Sequence, residues 1–348
     1  MAFADYIEAI LATPPVAPGE GLALGHSREG RVVRGFRFGG GPLRVSLIGG
    51  CHADEPVGPL LLRHLAAYLG QLPATHPLLA CCDWWLVPHI NPDGEARNNR
   101  WFDPAAVACD PLAYLPQVVR ERPGDDIEFG FPRDDDDRGA RPEPTAVHAW
   151  WRTAGGPFHV HASLHGMAIA AGPWYLIEAA WAERAAPLMR ACVEATHALG
   201  YALHDVERRG EKGFHRLGRG FCTRPDSRAM QAYFRTRGDL LTAGRFRPSS
   251  METMRRLGDD CLTLVSEMPL FLTPGVGEQL GPPDPAATAW RARLYAWGHR
   301  LGSGESPAHV ATEMRQTGFA AMPLRDQMRL QWRFVTAALA LRSSYPGL

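Results

Sequence analysis

Four short apolar runs punctuate the chain: RVSLIGG (44–50), DWWLVPHI (83–90), PFHVHASL (157–164) and DCLTLVSE (260–267). Each reads as a buried strand, and each closes on polar residues rather than on a plain turn. Between them lie helical patterns. PLLLRHLAAYLG (59–70) repeats apolar residues at the 3.6-residue period and stops at Gly70; residues 178–200 do the same, with a bend predicted at Pro187. Strands alternating with helices predict an α/β fold, a sheet sandwiched by helices. In such sheets ligands gather beyond the carboxyl ends of the strands, where all four polar clusters are expected to fall.

After the Pro/Gly-rich stretch PLFLTPGVGEQLGPPDP (269–285) the pattern turns purely helical, with helices predicted over 286–302, 307–317 and 324–342. This divides the chain into a catalytic unit, 1–275, and a C-terminal helical extension, 276–348. The extension holds no cluster of His, Cys or carboxylates, so it is expected to pack on the first unit or to form the contact of a homo-oligomer. RDDDDRG (133–139) is expected to be a solvated acidic loop, without the spaced oxygen ligands of a calcium site.

Composition narrows the functions. A chain of 348 residues, 45% of them hydrophobic, buries a large core, and Lys+Arg and Asp+Glu are balanced at 37 each. No global field recruits nucleic acid or an anionic membrane, so the expected partner is a small molecule. One basic residue alone is a lysine, Lys212. Seven cysteines form no CxxC pair and include the adjacent Cys81 and Cys82, which predicts reduced core thiols. The opening residues MAFADYIEAILATPP carry Asp5 and Glu8 and no basic leader, unlike a secretory signal, and no run reaches the roughly 18 apolar residues of a membrane span. A cytoplasmic location is therefore expected.

Candidate chemistry begins at LIGGCHADEP (47–56), where His52 and Glu55 stand three residues apart directly after an apolar run. On a tight turn or helix start, that spacing points both side chains the same way. His165, in ASLHGM at the end of another predicted strand, supplies a third ligand, and three ligands with a fourth position left for water form the pattern of catalytic zinc. His159 and His161 alternate on the same strand as other choices. Glu267, in CLTLVSEMP, closes the most strand-like run of the second half, where a carboxylate makes poor core filler. It is the expected general base.

GHSREGRVVRGFRFG, VSLIGGCHADEPVG, WLVPHINPDGEAR, RPEPTAV, SLHG and TLVSEMP follow one another over about residues 25–270. In that order they resemble the zinc carboxypeptidase family. The resemblance implies a single-domain fold with a mixed eight-stranded sheet, one zinc on His52, Glu55 and His165, and Glu267 as general base and acid. It also implies an arginine after the Asn-Pro-Asp-Gly turn that polarises the scissile carbonyl. The turn is intact from Asn91, which is expected on the substrate side, and Arg97 and Arg100 are the nearest matches.

One motif departs. Family members carry Asp-Leu-Asn-Arg-Asn-Phe-Pro, whose Asn-Arg pair grips a terminal carboxylate, whereas this chain has DIEFGFP (126–132). Glu128 stands at the asparagine and Phe129 at the arginine, and the family's tyrosine before the glutamate is also missing, with Phe246 the nearest aromatic. The pair predicts a preference for an amine, amide or apolar group at that subsite, unless the arginine-rich stretch 207–224 folds over the site and restores a cation. The expected activity is zinc-dependent hydrolysis of a peptide or other amide bond, the substrate being a small peptide or acyl amide. The alternatives are an N-acyl amino acid deacylase of the aspartoacylase and succinylglutamate desuccinylase type, or a catalytically silent zinc or ligand-binding homologue.

Overall fold

The computed structural model describes residues 3–278, 280–281 and 284–344. Its strands are β1 (Leu22–His26), β2 (Val32–Gly39), β3 (Leu43–Gly49), β4 (Cys82–Val87), β5 (Val160–Ala170), β6 (Trp174–Ile177), β7 (Arg216–Gly218), β8 (Phe221–Thr223), β9 (Leu262–Leu272) and β10 (Ala320–Ala321). They form one mixed sheet in the order β1-β2-β4-β3-β5-β9-β6-β8-β7, with β10 added to β9. The sheet is ten-stranded where eight strands are expected, and β7, β8 and β10 are only two or three residues long. Strands β4, β3, β5 and β9 run parallel, and β2 and β6 flank them antiparallel.

Period-2 alternation explains why the central strands are apolar throughout. Trp84 and Leu86 of β4 join one hydrophobic cluster, with the helices Val57–Gln71, Ala186–Ala198 and Leu324–Ser343, while Trp85 and Val87 join the opposite one with the helices Pro142–Arg152 and Ser250–Leu257. The sheet is therefore covered on both faces. Pro187 falls in the first turn of its helix, after a 3-10 turn over Ala179–Arg184.

β5 and β9 are each 11 residues long, so His165 and Glu267 lie in mid-strand rather than at strand ends. The reason is in the register. β3 pairs with β5 only as far as Gly49 opposite Leu164, then turns away at Gly50, while β5 and β9 continue together to Ala170 and Leu272. His165 is the first residue of β5 beyond that edge. The polar cluster thus sits where β3 ends, although two of its members come from strands that run on.

The three C-terminal helices, Pro285–Gly302, Pro307–Gln316 and Leu324–Ser343, fall within a residue of their predicted bounds. The last packs on the sheet beside the Val57–Gln71 helix, in the same hydrophobic cluster. Its Gln331 is fully buried and donates through Nε2 to the His165 carbonyl at 3.1 Å and to Ser266 Oγ at 3.2 Å. Among the described residues no helix is long and apolar enough to cross a membrane, and all seven cysteines are unpaired, six of them buried.

Gly58 lets the Val57–Gln71 helix cross β5 at van der Waals distance, because a Cβ there would collide with the backbone oxygen of Leu164. Neither the helix nor the central strand has room to give way. Gly58→Ala should lower the urea unfolding free energy by about 1–3 kcal/mol, the usual cost of overpacking, despite the better helix propensity of alanine. A midpoint equal to that of the parent would show that the crossing is not tight.

Candidate metal centre

The turn that leaves β3 is built on backbone economy. Gly50 has φ +71°, and a side chain there would strike the imidazole of His89 at the end of β4. From this turn His52 and Glu55 project together, with Pro56 next and the buried helix beginning at Val57. His52 Nδ1 lies 2.8 Å from Glu55 Oε1, His165 Nδ1 lies 2.9 Å from Glu55 Oε2, and the two imidazole nitrogens are 3.2 Å apart. Gly166 N–H also donates to Glu55 Oε2 at 3.2 Å. Two imidazoles set edge to face and sharing one buried carboxylate make a cradle for a cation.

Among the described residues two donor sets come together within 4.8 Å: His52, Glu55 and His165, and Cys51, Glu128 and His165. They share His165 and use its two nitrogens differently, since Nε2 meets Glu128 Oε2 at 2.9 Å. Burial pushes the Cys51 thiol up to about 12, so it stays protonated, and the second set is better read as the support of the first. A carboxylate on the far nitrogen fixes the tautomer and orientation of a ligating histidine. His161 and His159 are occupied elsewhere. His161 is held between Ser46 Oγ and Ser250 Oγ and burial lowers its pKa to about 3, while His159 Nδ1 accepts from the Arg44 N–H.

The charges are mutually dependent. Burial alone would raise Glu55, but His52, Arg120 and His165 outweigh it and hold the carboxyl well below its usual range. Burial would lower His165, but Glu128 and Glu55 keep it well above the ordinary histidine value. Glu267 stands opposite His165 in the β5–β9 register, so its side chain leaves the sheet on the same face. Burial, with Glu55 nearby, pushes it up to about 8.

The arginines are arranged otherwise than the turn after Asn91 suggests. Arg97, on the helix Pro92–Asn98, reaches out to Glu29, and Arg100 is exposed beyond the helix end. Neither approaches the cradle. Arg120 does: its Nη1 lies 3.1 Å from Glu55 Oε1 and 3.0 Å from Asp54 Oδ1, and Glu267 is among the carboxylates that raise its pKa. It stands in a loop without periodicity, in VVRERPGDD, and no sequence signal singles it out. Asn91 is fully buried and caps the Pro92–Asn98 helix, accepting from the Gly94 N–H and donating to Glu121. Phe129 lines a cavity of about 590 Å³ with Arg97 and Arg120, whereas Glu128 turns away from it toward His165.

The mixed α/β sheet thus carries a candidate His-Glu-His metal centre beyond the end of β3, with the carboxyl of Glu267 on β9 beside it. Residues 20–175 match the family model of the zinc carboxypeptidases, so the resemblance carried by the motifs holds at family level over the segment that contains His52, Glu55 and His165. The chain is 31% identical over 100 residues to zinc carboxypeptidase A 1 of Anopheles gambiae, covering 27% of this chain and 23% of that protein. It is 36% identical over 86 residues to the inactive metallocarboxypeptidase ecm14 of Talaromyces marneffei, covering 21% and 14%. The chain thus spans less than a quarter of the length of these curated relatives. A solved metallo-carboxypeptidase of Pseudomonas aeruginosa, in complex with (2-guanidinoethylmercapto)succinic acid, aligns at a TM-score of 0.46 and 18% identity over 98% of this chain and 68% of that one.

In the metal-free protein the raised Glu267 carboxyl binds a proton that the unfolded chain has already released above its ordinary value of 4.5. The stability tied to that proton is complete below the unfolded value and is lost as pH rises through about 8. Glu267→Gln removes this titration. The metal-free variant should therefore lose less stability than the parent between about pH 5 and about pH 8 in urea melts. Parallel pH profiles for the two proteins would place Glu267 in ordinary solvent.

Proposed function

We propose that the protein is a zinc-dependent hydrolase of a peptide or related amide bond, with recognition of the substrate's terminal group altered from that of the family. The observation that carries this reading is the convergence of His52, Glu55 and His165 within one cradle, with Glu267 in register beside His165. Two neutral imidazoles and one carboxylate suit a single zinc with an open coordination position. When bound, the ion supplies Lewis acidity toward a water and a carbonyl oxygen.

The side chains of the chain do the rest. Glu267 takes a proton from the attacking water as the water oxygen bonds to the carbonyl carbon, then gives that proton to the amide nitrogen as the C–N bond breaks. Arg120, fixed by Asp54, places a guanidinium beside the cradle where negative charge develops on the carbonyl oxygen. Glu128 keeps the His165 ring in place instead of meeting substrate. The intact Asn91–Gly94 turn favours peptides over the N-acyl amino acids of the deacylase branch. Seven unpaired thiols suit a reducing compartment, the cytoplasm.

Purified protein should contain one zinc per chain, and His52→Ala or His165→Ala should abolish stoichiometric binding. Against a panel of peptides and N-acyl amino acids, Glu267→Gln should retain zinc and lose at least about a hundredfold in kcat. Arg120→Ala should lose about 10²–10³ in kcat, as expected for one oxyanion donor. Zinc retention by both histidine variants would overturn the ligand assignment, and a parent protein silent on every substrate would leave a binding protein in place of the enzyme.

A further inference from the structure

The face of β5 that carries His165 continues through Met167 and Ile169, and these two residues form the floor of a second cavity of about 660 Å³. Met167 lies about 7 Å beyond His165 along the strand. Trp174, paired with Glu267 in the β6–β9 register, completes the floor and donates its indole N–H to Met167 Sδ at 3.0 Å. The cavity therefore lies next to the candidate metal centre along the sheet, on the side where β5 and β9 outrun β3, and Glu267 is among the carboxylates whose charge acts on Arg208.

Its walls carry four cations, Arg208, Lys212, Arg237 and Arg291, and among the described residues none of them makes an ion pair with a carboxylate. Arg208 stacks on Phe214, with its guanidinium carbon 4.4 Å from the ring centre; Lys212 Nζ and the Arg237 guanidinium carbon lie 4.3 and 3.6 Å from the ring centre of Tyr233. Three of the four acidic groups on the same walls are committed elsewhere. Asp205 pairs bidentately with Arg216, Asp284 caps the Pro285–Gly302 helix and Glu207 accepts the Arg209 N–H, while Glu211, whose N–H donates to the Arg208 carbonyl, lends its charge to Arg208 and Lys212 without forming an ion pair with either. Arg208 and Lys212 are half-buried, and the loop holds Arg209 and Lys212 at φ +51° and +59°, a left-handed conformation that side chains adopt at a cost. Burial and the neighbouring cations together lower Lys212. Two half-buried and two exposed cations thus face one uncommitted carboxylate, Glu211, and the excess of positive charge in the cavity suits an external anion.

We propose that this cavity is an anion subsite that receives a carboxylate of the substrate held at the metal centre, gripped by Arg208 and Lys212 with Arg237 and Arg291 at the rim. The inference rests on the hydrolase reading for its substrate, but not for its chemistry. It supplies cations in place of the lost Asn-Arg pair from a cluster farther along β5 than His165, and it assigns the substrate class as peptides with a carboxylate beyond the scissile bond. The carboxylate is either the terminal one or that of an acidic side chain.

Titration calorimetry on the chelator-stripped full chain separates the subsite from the metal. The probes are N-acetylglutamine, with a free α-carboxylate, N-acetylisoglutamine, with a free side-chain carboxylate, and N-acetylglutamine amide, with neither. One or both acids should bind at least tenfold more tightly than the diamide, and the acid that binds identifies the source of the carboxylate. Arg208→Gln and Lys212→Met should each weaken that acid at least tenfold, Arg208→Lys should recover most of the loss, and Arg291→Gln, at an exposed position, should weaken it about threefold even if the inner variants fold poorly. In the zinc-loaded enzyme Lys212→Met should lower the ratio of kcat/KM for a free-acid peptide to that for its amide at least tenfold. Equal binding of acid and diamide, or full binding by folded Arg208→Gln and Lys212→Met proteins, would overturn the subsite. Failure of hydrolysis alone would overturn only the enzyme reading.

Discussion

The parallel pairing of β5 with β9 is the constraint on which the site depends. Ten residue pairs run from Val160 opposite Leu262 to Ala170 opposite Leu272, joining segments about a hundred positions apart in the chain. His165 opposite Glu267 is one rung of that ladder. A slip of one residue would send Glu267 to the other face of the sheet, away from Glu55, because side chains alternate with period two. Registry is held by burial on both faces and by Gln331, whose amide spans β5 and β9 at this level. The other half of the cradle is placed from below, by the Gly50 turn and by the helix that Gly58 lets settle onto Leu164.

Electrostatics make the resulting centre expensive without a cation. His52 and His165 approach within 3.2 Å, Glu55 serves both, and Glu267 is pushed toward neutrality beside it. Each group settles its own protonation against the others, and Arg120 and Glu128 contribute opposite charges at the two ends. Such an arrangement violates the rule that buried charges pair cleanly, and violations of local consistency concentrate where a protein binds or reacts.

Much of this is legible in the sequence. Short apolar runs located β3, β4, β5 and β9, and the C-terminal helices declared themselves by the change to a purely helical pattern after the Pro/Gly-rich stretch. His52 and Glu55 were readable as a pair because their spacing acts locally, and Glu267 because a carboxylate in an apolar run is out of place. Arg120 was hidden because a loop brings it to the site through tertiary packing alone. Alignment put Glu128 and Phe129 in adjacent clamp positions, yet consecutive residues on the Asp126–Phe131 segment face apart, Glu128 inward to His165 and Phe129 to a cavity and the ring of Phe246. Asn91 looked chemical but is spent capping a helix, a role local hydrogen bonding demands of that residue type. The sheet grew to ten strands through short edge pieces too brief to carry a periodic signal.

The bond from Gln331 to the His165 carbonyl also sets an order of events during synthesis. His165 leaves the ribosome 166 residues ahead of Gln331, about 10–30 s at ordinary translation speed. Throughout that interval the nascent chain carries two histidines and a glutamate of the cradle without the helix that locks it, and until β9 emerges, about a hundred residues after His165, without the second strand as well. The candidate centre is consequently complete only once that helix has been made, and a chain broken off before it would display the candidate ligands without the bond that spans β5 and β9.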